Sequence, residues 1–145
     1  MNDAGLATRW RSWAPYLMSI LRVIAVFLFM QVGTAKLFGF PVPILPGGGT
    51  APLNSLLGVA GVLETFGGAL VLVGLFTRPV AFVLSGEMAF AYFIGHAPHG
   101  FWTVVNQGAP AVFFCFFFLY LSAAGAGPWS LDALIAQRRM RAGQP

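Results

Sequence analysis

The chain has 145 residues, 58% of them apolar and 8% charged, with a mean hydropathy of +0.80. That leaves too little polar side chain to cover a water-soluble domain, so composition predicts an integral membrane protein. The net charge of +4 does not indicate nucleic acid, because the cations sit at the termini and between apolar runs, where membrane topology accounts for them. The single cysteine, Cys115, excludes an intramolecular disulfide and a CxxC dithiol relay.

Residues 1–16 carry Arg9, Trp10, Arg11, Trp13 and Tyr16, cations alternating with amphipathic aromatics, which predicts an interfacial anchor at headgroup level. A cleaved leader is the competing reading. It fits poorly, because the apolar run that follows carries Arg22 and exceeds signal-peptide length, and Gly33-Thr34-Ala35 is a poor cleavage site. A first spanning helix is expected over about 17–38. Arg22, Phe29 and Lys36 recur every seven residues with Val26 and Gly33 between them, so one stripe carries both cations and should face the bundle. The bland alternative is snorkelling to headgroups, which suits Lys36 near the helix end. Arg22, roughly 8 Å inside, calls for a carboxylate partner.

Residues 39–55, GFPVPILPGGGTAPLNS, hold no charge and read as a loop outside the membrane. Gly47-Gly48-Gly49 lacks the following Lys-Ser/Thr and the preceding strand of a phosphate-binding loop, which makes it a connector. A second span is expected over 56–76, with Glu64 at its heart. Glu64 shares a helix face with Leu57, Gly61, Gly68 and Val71, and the two glycines let another helix approach closely. Thr77-Arg78-Pro79 reads as a tight hairpin, followed by a third span over 79–95 with Glu87 near its middle. That span ends in His96-Ala-Pro-His99-Gly-Phe-Trp102, two imidazoles and a tryptophan suited to the interface.

A fourth span is expected over 104–124, with Phe113, Phe114, Phe116, Phe117, Phe118 and Tyr120 around Cys115, read as lipid-facing or core aromatics. Gly125–Trp129 breaks it. Ser130 can cap a short helix bearing Leu131, Leu134 and Ile135 on one face and ending in Arg138, Arg139 and Arg141, a membrane-surface element. The expected fold is all-α, a single domain over 1–145: an integral membrane four-helix bundle with a short C-terminal amphipathic interfacial helix. With four spans, Arg9, Arg11, Arg78 and the last three arginines share one side, so both termini are expected in the cytoplasm of a bacterial-type inner membrane.

The ionisable residues at membrane depth are Arg22, Glu64 and Glu87, with Lys36 and His96 near the other ends of their helices; such residues are functional candidates by default. Depth at 1.5 Å per residue puts Arg22 and Glu87 roughly 8 and 12 Å from the arginine-rich face, which makes them an expected pair. Glu64 can be met by Lys36, by Gln31, or by Asn106 and Gln107. Pairs that only fix helix register are the structural alternative. His96 and His99 stand three apart without a neighbouring Cys or carboxylate, so no metal site is expected. An apolar cleft holding Glu64, His96 and aromatics would better suit a quinone or another hydrophobic small molecule.

The stretches Arg22…Phe29-Met-Gln-Val-Gly33-Thr-Ala-Lys36, Gly61-Val-Leu-Glu64…Gly74-Leu-Phe-Thr-Arg78-Pro79, Met88-Ala…Tyr92…His96-Ala-Pro and the tail Phe118…Pro128-Trp129-Ser-Leu-Asp132 resemble the DoxX family of small four-helix membrane proteins. The resemblance implies a membrane subunit of an oxidoreductase system, in some members linked to thiosulfate-to-quinone electron transfer and in others to oxidative-stress complexes. The chain departs from the family pattern at Val32, where a His is frequent, and at Asn106-Gln-Gly-Ala109, where Asn-Gly-Gly-Glu is frequent. If those groups serve quinone protonation in relatives, that chemistry is absent here. The partners to consider are the bilayer, a soluble oxidoreductase and a second copy of the chain. A proton-coupled permease built on the intramembrane charges, and a purely structural assembly subunit, are the rival functions.

Overall fold

The computed structural model describes residues 3–143, and all regular structure among them is helical. The main elements are α1 (Asp3–Phe38), α2 (Leu56–Val73), α3 (Thr77–His99), α4 (Ala109–Ala124) and α5 (Leu131–Ala142). A π-helical turn, Leu63–Gly67, interrupts α2, and α3 closes in a π-helical turn, Tyr92–His96, followed by a 3-10 turn. Three helices, α1, α2 and α3, are long and apolar enough to cross a bilayer. The fourth bundle helix, α4, has 16 residues and reaches only about 24 Å.

Several expected boundaries shift, each for a local reason. The segment expected as a separate anchor is continuous with the first span: α1 runs 36 residues, about 54 Å. No Gly-Pro break divides it, and Pro15 deletes only one intrahelical bond; residues 1 and 2 of that segment lie outside the described residues. The second span stops at Val73 because Gly74 adopts φ 70° as a left-handed C-cap, with Leu75 N–H donating to Leu70 O at 2.9 Å and Gly74 N–H to Val71 O at 3.1 Å. The turn is therefore 74–76, and α3 begins at Thr77 rather than Pro79. The fourth span begins at Ala109 rather than 104, because Gln107 turns left-handed after a separate helical turn, Thr103–Asn106. The 39–55 loop folds back on the bundle, Ala51 N–H donating to Lys36 O at 2.8 Å.

The helices pack as two close antiparallel pairs. Between α1 and α2, a Cβ added at Gly33 would sit 2.7 Å from Glu64 Cβ, and one at Gly68 would sit 2.5 Å from Met30 Cγ. The small residues therefore set the approach of the two helices. Between α3 and α4, Ser85 Oγ donates to Cys115 O at 2.9 Å. A shared core of Val26, Phe29, Val71, Leu84, Phe118 and Leu121 joins the pairs, with the Phe29 ring edge-on to Phe118 at 4.8 Å. The aromatics of α4 divide between this core (Phe117, Phe118) and the outside (Phe113, Phe116).

Candidate functional site

The cation stripe of α1 faces inward as its heptad spacing predicts, but its two ends do different things. Arg22, 1% exposed, donates through one guanidinium nitrogen to Val71 O at 3.0 Å and through the other to Trp129 O at 2.6 Å. The expected Arg22–Glu87 pair does not form. Arg22 is taken by the open carbonyls at the end of α2 and in the 125–130 loop, which its planar fork meets together. Around it, Asp132 accepts from Phe76 N–H at 2.9 Å and Thr77 N–H at 3.0 Å, and so caps α3 from 55 residues away. Arg78 in turn donates to the carbonyls of Ser122 and Ala123, closing the C-terminus of α4. A cavity of about 460 Å³ beneath α5 is lined by Arg78 and Asp132, but both are already spent on these caps. The arginine-rich end is thus a structural lock.

At the other end of the stripe, Lys36 Nζ lies 2.7 Å from Glu64 Oε1, with the lysine side chain 13% exposed and the glutamate 3%. Of the partners open to Glu64, the bundle selects Lys36; no hydrogen bond joins Gln31 to it among the described residues. Glu64 sits in the π-helical turn of α2, a widening of the helix that recurs at functional positions. Glu87, from α3, lies in electrostatic reach of both Lys36 and Glu64, yet both its carboxyl oxygens are buried without a protein partner.

Glu87 and Lys36 line a cleft of about 750 Å³ between α1, α2 and α3. The α2–α3 hairpin is pinned at the arginine-rich end, where Gly67 packs on Leu84 and Val80, and it splays toward His96. Its walls are apolar: Val32 from α1, Val59 and Leu63 from α2, Val83, Phe90 and Ile94 from α3. Gly86 and Gly95 both face open space, with nothing within 4 Å of an added Cβ, so small residues leave the volume free. His96 closes the top. Its Nδ1 is 2.9 Å from Asn106 O, and since a carbonyl only accepts, Nδ1 carries the proton and Nε2 is left as the second ring nitrogen. The volume and the few polar groups among apolar walls are those of a small-molecule site.

The candidates from sequence thus separate. Lys36, Glu87 and His96 line the cleft, whereas Glu64 stands behind Lys36 as its counter-charge and does not line it. Asn106 organises the neighbouring loop, donating to Gly100 O at 2.7 Å and accepting from Gly108 N–H at 2.7 Å. Gln31 is half-buried outside the cleft, and Arg22 belongs to the lock. Sequence reasoning missed Asp132, whose signal was its place in the Trp129-Ser-Leu-Asp132 tail, and Gly86, whose signal was a residue without a side chain beside a buried carboxyl. Among the described residues no group of three or more metal-ligating side chains assembles.

Long apolar helices and charges buried at their interfaces define a small multi-pass membrane bundle with a lateral cleft. The chain belongs to the DoxX family, whose model matches residues 17–97, a segment that contains Arg22, Lys36, Glu64, Glu87 and His96. It is similar to an uncharacterized protein of Haemophilus influenzae, 42% identical over 123 residues that cover 83% of this chain and 91% of the relative. No solved structure matches.

Proposed function

We propose that this protein is a non-autonomous membrane subunit of an oxidoreductase or redox-stress system, and that it holds a quinone-class lipid in the cleft between α1, α2 and α3. The supporting observation is a mostly apolar cleft between three helices that has Lys36 and His96 at its rim and Glu87 in its wall. Apolar walls suit a ring and isoprenoid tail, and Lys36 can donate to a ring oxygen. In this reading the cleft positions the quinone and a soluble partner handles the electrons, docking at the arginine-rich end. The clustering of arginines at that end supports a cytoplasmic orientation for it, in a bacterial-type plasma membrane on this reading.

The test is to excise the protein with its native lipids in polymer discs and to quantify quinone in the extract. Enrichment over the bulk membrane is expected, and quinone at the bulk level would contradict this reading. A proton-coupled permease remains the rival, to which the Lys36, Glu64 and Glu87 cluster also lends support. Solute uptake by proteoliposomes without quinone enrichment would favour that reading. A phosphatase active only outside the cytoplasm, fused after Pro145, is expected to be silent.

A further inference from the structure

We propose that the arginine-rich end carries a separate lipid site: a groove on the exposed face of α1, walled by Trp129, holds one anionic phospholipid with its phosphate at Arg9 and an acyl chain running toward Ile20. The site is independent of the ligand in the cleft between α1, α2 and α3.

With 36 residues, α1 is longer than a membrane requires. About twenty residues cross a hydrocarbon core of about 30 Å, and counted back from Lys36 they end at Tyr16. Tyr16 thus marks the boundary between hydrocarbon and headgroups, and Arg9 stands about 10 Å further out along a helix that tilts as spanning helices do. Arg9, Trp13, Tyr16 and Ile20 recur at steps of four, three and four, so they form one stripe. All four are exposed, while Ser19 and Arg22 of the same helix are buried in the bundle.

The stripe is more than a lipid-facing surface, because a second wall is built beside it. Trp129 O accepts from Arg22 at 2.6 Å and Trp129 N–H donates to Ser19 Oγ at 3.3 Å, which fixes the residue by its backbone. Gly127, at φ 78°, packs so close to α1 that an added Cβ would run into Ser19 Oγ. The loop is therefore clamped to α1, yet the Trp129 ring stays 59% exposed and lies against Tyr16, ring centroids 5.7 Å apart. Two adjoining hollows of about 460 and 400 Å³ result, one reaching Trp129, Tyr16 and Ile20, the other reaching Arg9, and they share Trp13 and Leu17. From Arg9 to Ile20 the helix rises about 16 Å, room for a headgroup and the upper part of an acyl chain, since one leaflet's hydrocarbon is about 15 Å deep. A wall set in advance lowers the ordering cost of holding a lipid there.

Charge selects the headgroup. The exposed cations at this end include Arg9 and Arg11 on α1 and Arg138, Arg139 and Arg141 on α5. The acidic residues outside the spans are Asp3 and Asp132, and Asp132 is committed to the cap of α3. A headgroup with net negative charge is attracted there, a zwitterion far less. Of these arginines Arg9 lines the groove, and its planar fork can meet two phosphate oxygens. An acidic soluble protein would meet the same charge, but Leu17 and Ile20 lie on the hydrocarbon side of Tyr16, where an acyl chain reaches and a soluble protein does not.

The experiment titrates the full chain in neutral detergent with equimolar phosphatidylglycerol and phosphatidylcholine of matched chains and counts retained lipid by native mass spectrometry. One phosphatidylglycerol per chain is expected, at about fivefold preference over phosphatidylcholine, the size of one arginine near an anionic headgroup. Arg9→Gln should abolish the preference, whereas Arg141→Gln, which removes the same charge outside the groove, should keep it. Trp129→Ala should weaken retention of both lipids and leave their ratio. Arg9 and Arg141 are exposed, so both variants should melt with the parent. Equal retention of the two lipids, or equal losses in Arg9→Gln and Arg141→Gln, overturns the proposal, because the charge would then act diffusely. Glycerol phosphate competing as strongly as phosphatidylglycerol overturns it too, since the acyl chain would contribute nothing. A lipid-free dimer that Trp13→Ala dissociates would likewise overturn it and give the groove to a second copy of the chain.

Discussion

Lys36 and Glu64 form the one salt bridge among the described residues, Nζ to Oε1 at 2.7 Å, and it joins α1 to α2 beside the close approach of Gly33 to Glu64. Removing one partner of a buried pair strands the other charge, at a cost of about 3–5 kcal/mol. The two partners are not equivalent, however. Lys36→Met strands Glu64 and removes the cation that Glu87 also feels, whereas Glu64→Gln leaves Lys36 free to swing toward Glu87 on its flexible stem. Melting in detergent is therefore expected to fall further for Lys36→Met than for Glu64→Gln. The reverse order would show that Lys36 stays stranded once Glu64 is neutralised and finds neither Glu87 nor water.

A second pair of substitutions separates close packing from open cleft. Gly33→Ala places a Cβ 2.8 Å from the Thr65 backbone nitrogen, and since backbone cannot swing aside, α1 and α2 must move apart. Gly86→Ala adds a methyl group to open space. The first is expected to cost about 1–3 kcal/mol by overpacking and the second nothing, or a slight gain from helix propensity. Parallel unfolding titrations check the contrast.

Arg22 tests the lock at the arginine-rich end. Its two guanidinium nitrogens serve Val71 O and Trp129 O, a task a lysine ammonium cannot match with the same planar fork. Arg22→Lys is expected to keep the charge yet lose about 1–3 kcal/mol, the cost of leaving a buried carbonyl unmet. Amide exchange should rise in residues 125–133. Unchanged exchange there would show that the Trp129 N–H bond to Ser19 Oγ, at 3.3 Å, and the Asp132 cap hold the loop without Arg22.

Asp132 is a helix cap supplied from far along the chain. Its two oxygens accept from Phe76 and Thr77 N–H groups, so Asp132→Ala is expected to cost about 0.5–2 kcal/mol. Asp132→Asn, with one acceptor oxygen left, should fall between that variant and the parent. Chemical denaturation of the three proteins reads the order directly.

These results mark where sequence reading succeeds in this chain. The heptad of Arg22, Phe29 and Lys36 gave the buried face of α1, because a membrane helix exposes its apolar side chains to lipid and its cations nowhere but at partners. The glycine face around Glu64 gave the close approach to α1, and Ser130 capped its helix as expected, accepting from Ala133 N–H at 3.2 Å. Depth along a helix does not give rotation about it, so Arg22 and Glu87 at one level looked like a pair although they belong to different interfaces. For the same reason Glu64 was expected in the cleft that Glu87 occupies. The cap from Asp132 was illegible because it crosses from the tail to the α2–α3 turn, a contact no local pattern encodes.

The central claim is that the cleft beside Glu87 holds a lipid-like ligand, and filling that cleft tests it most directly. Gly86→Leu puts a side chain into the open space without touching the packed core. Native mass spectrometry of parent and variant, each released from native lipid discs, is expected to show a quinone-mass adduct on the parent that is lost in Gly86→Leu, with the variant's melting temperature at or above the parent's. An adduct of equal abundance on both proteins would contradict the account, because the ligand would then sit elsewhere.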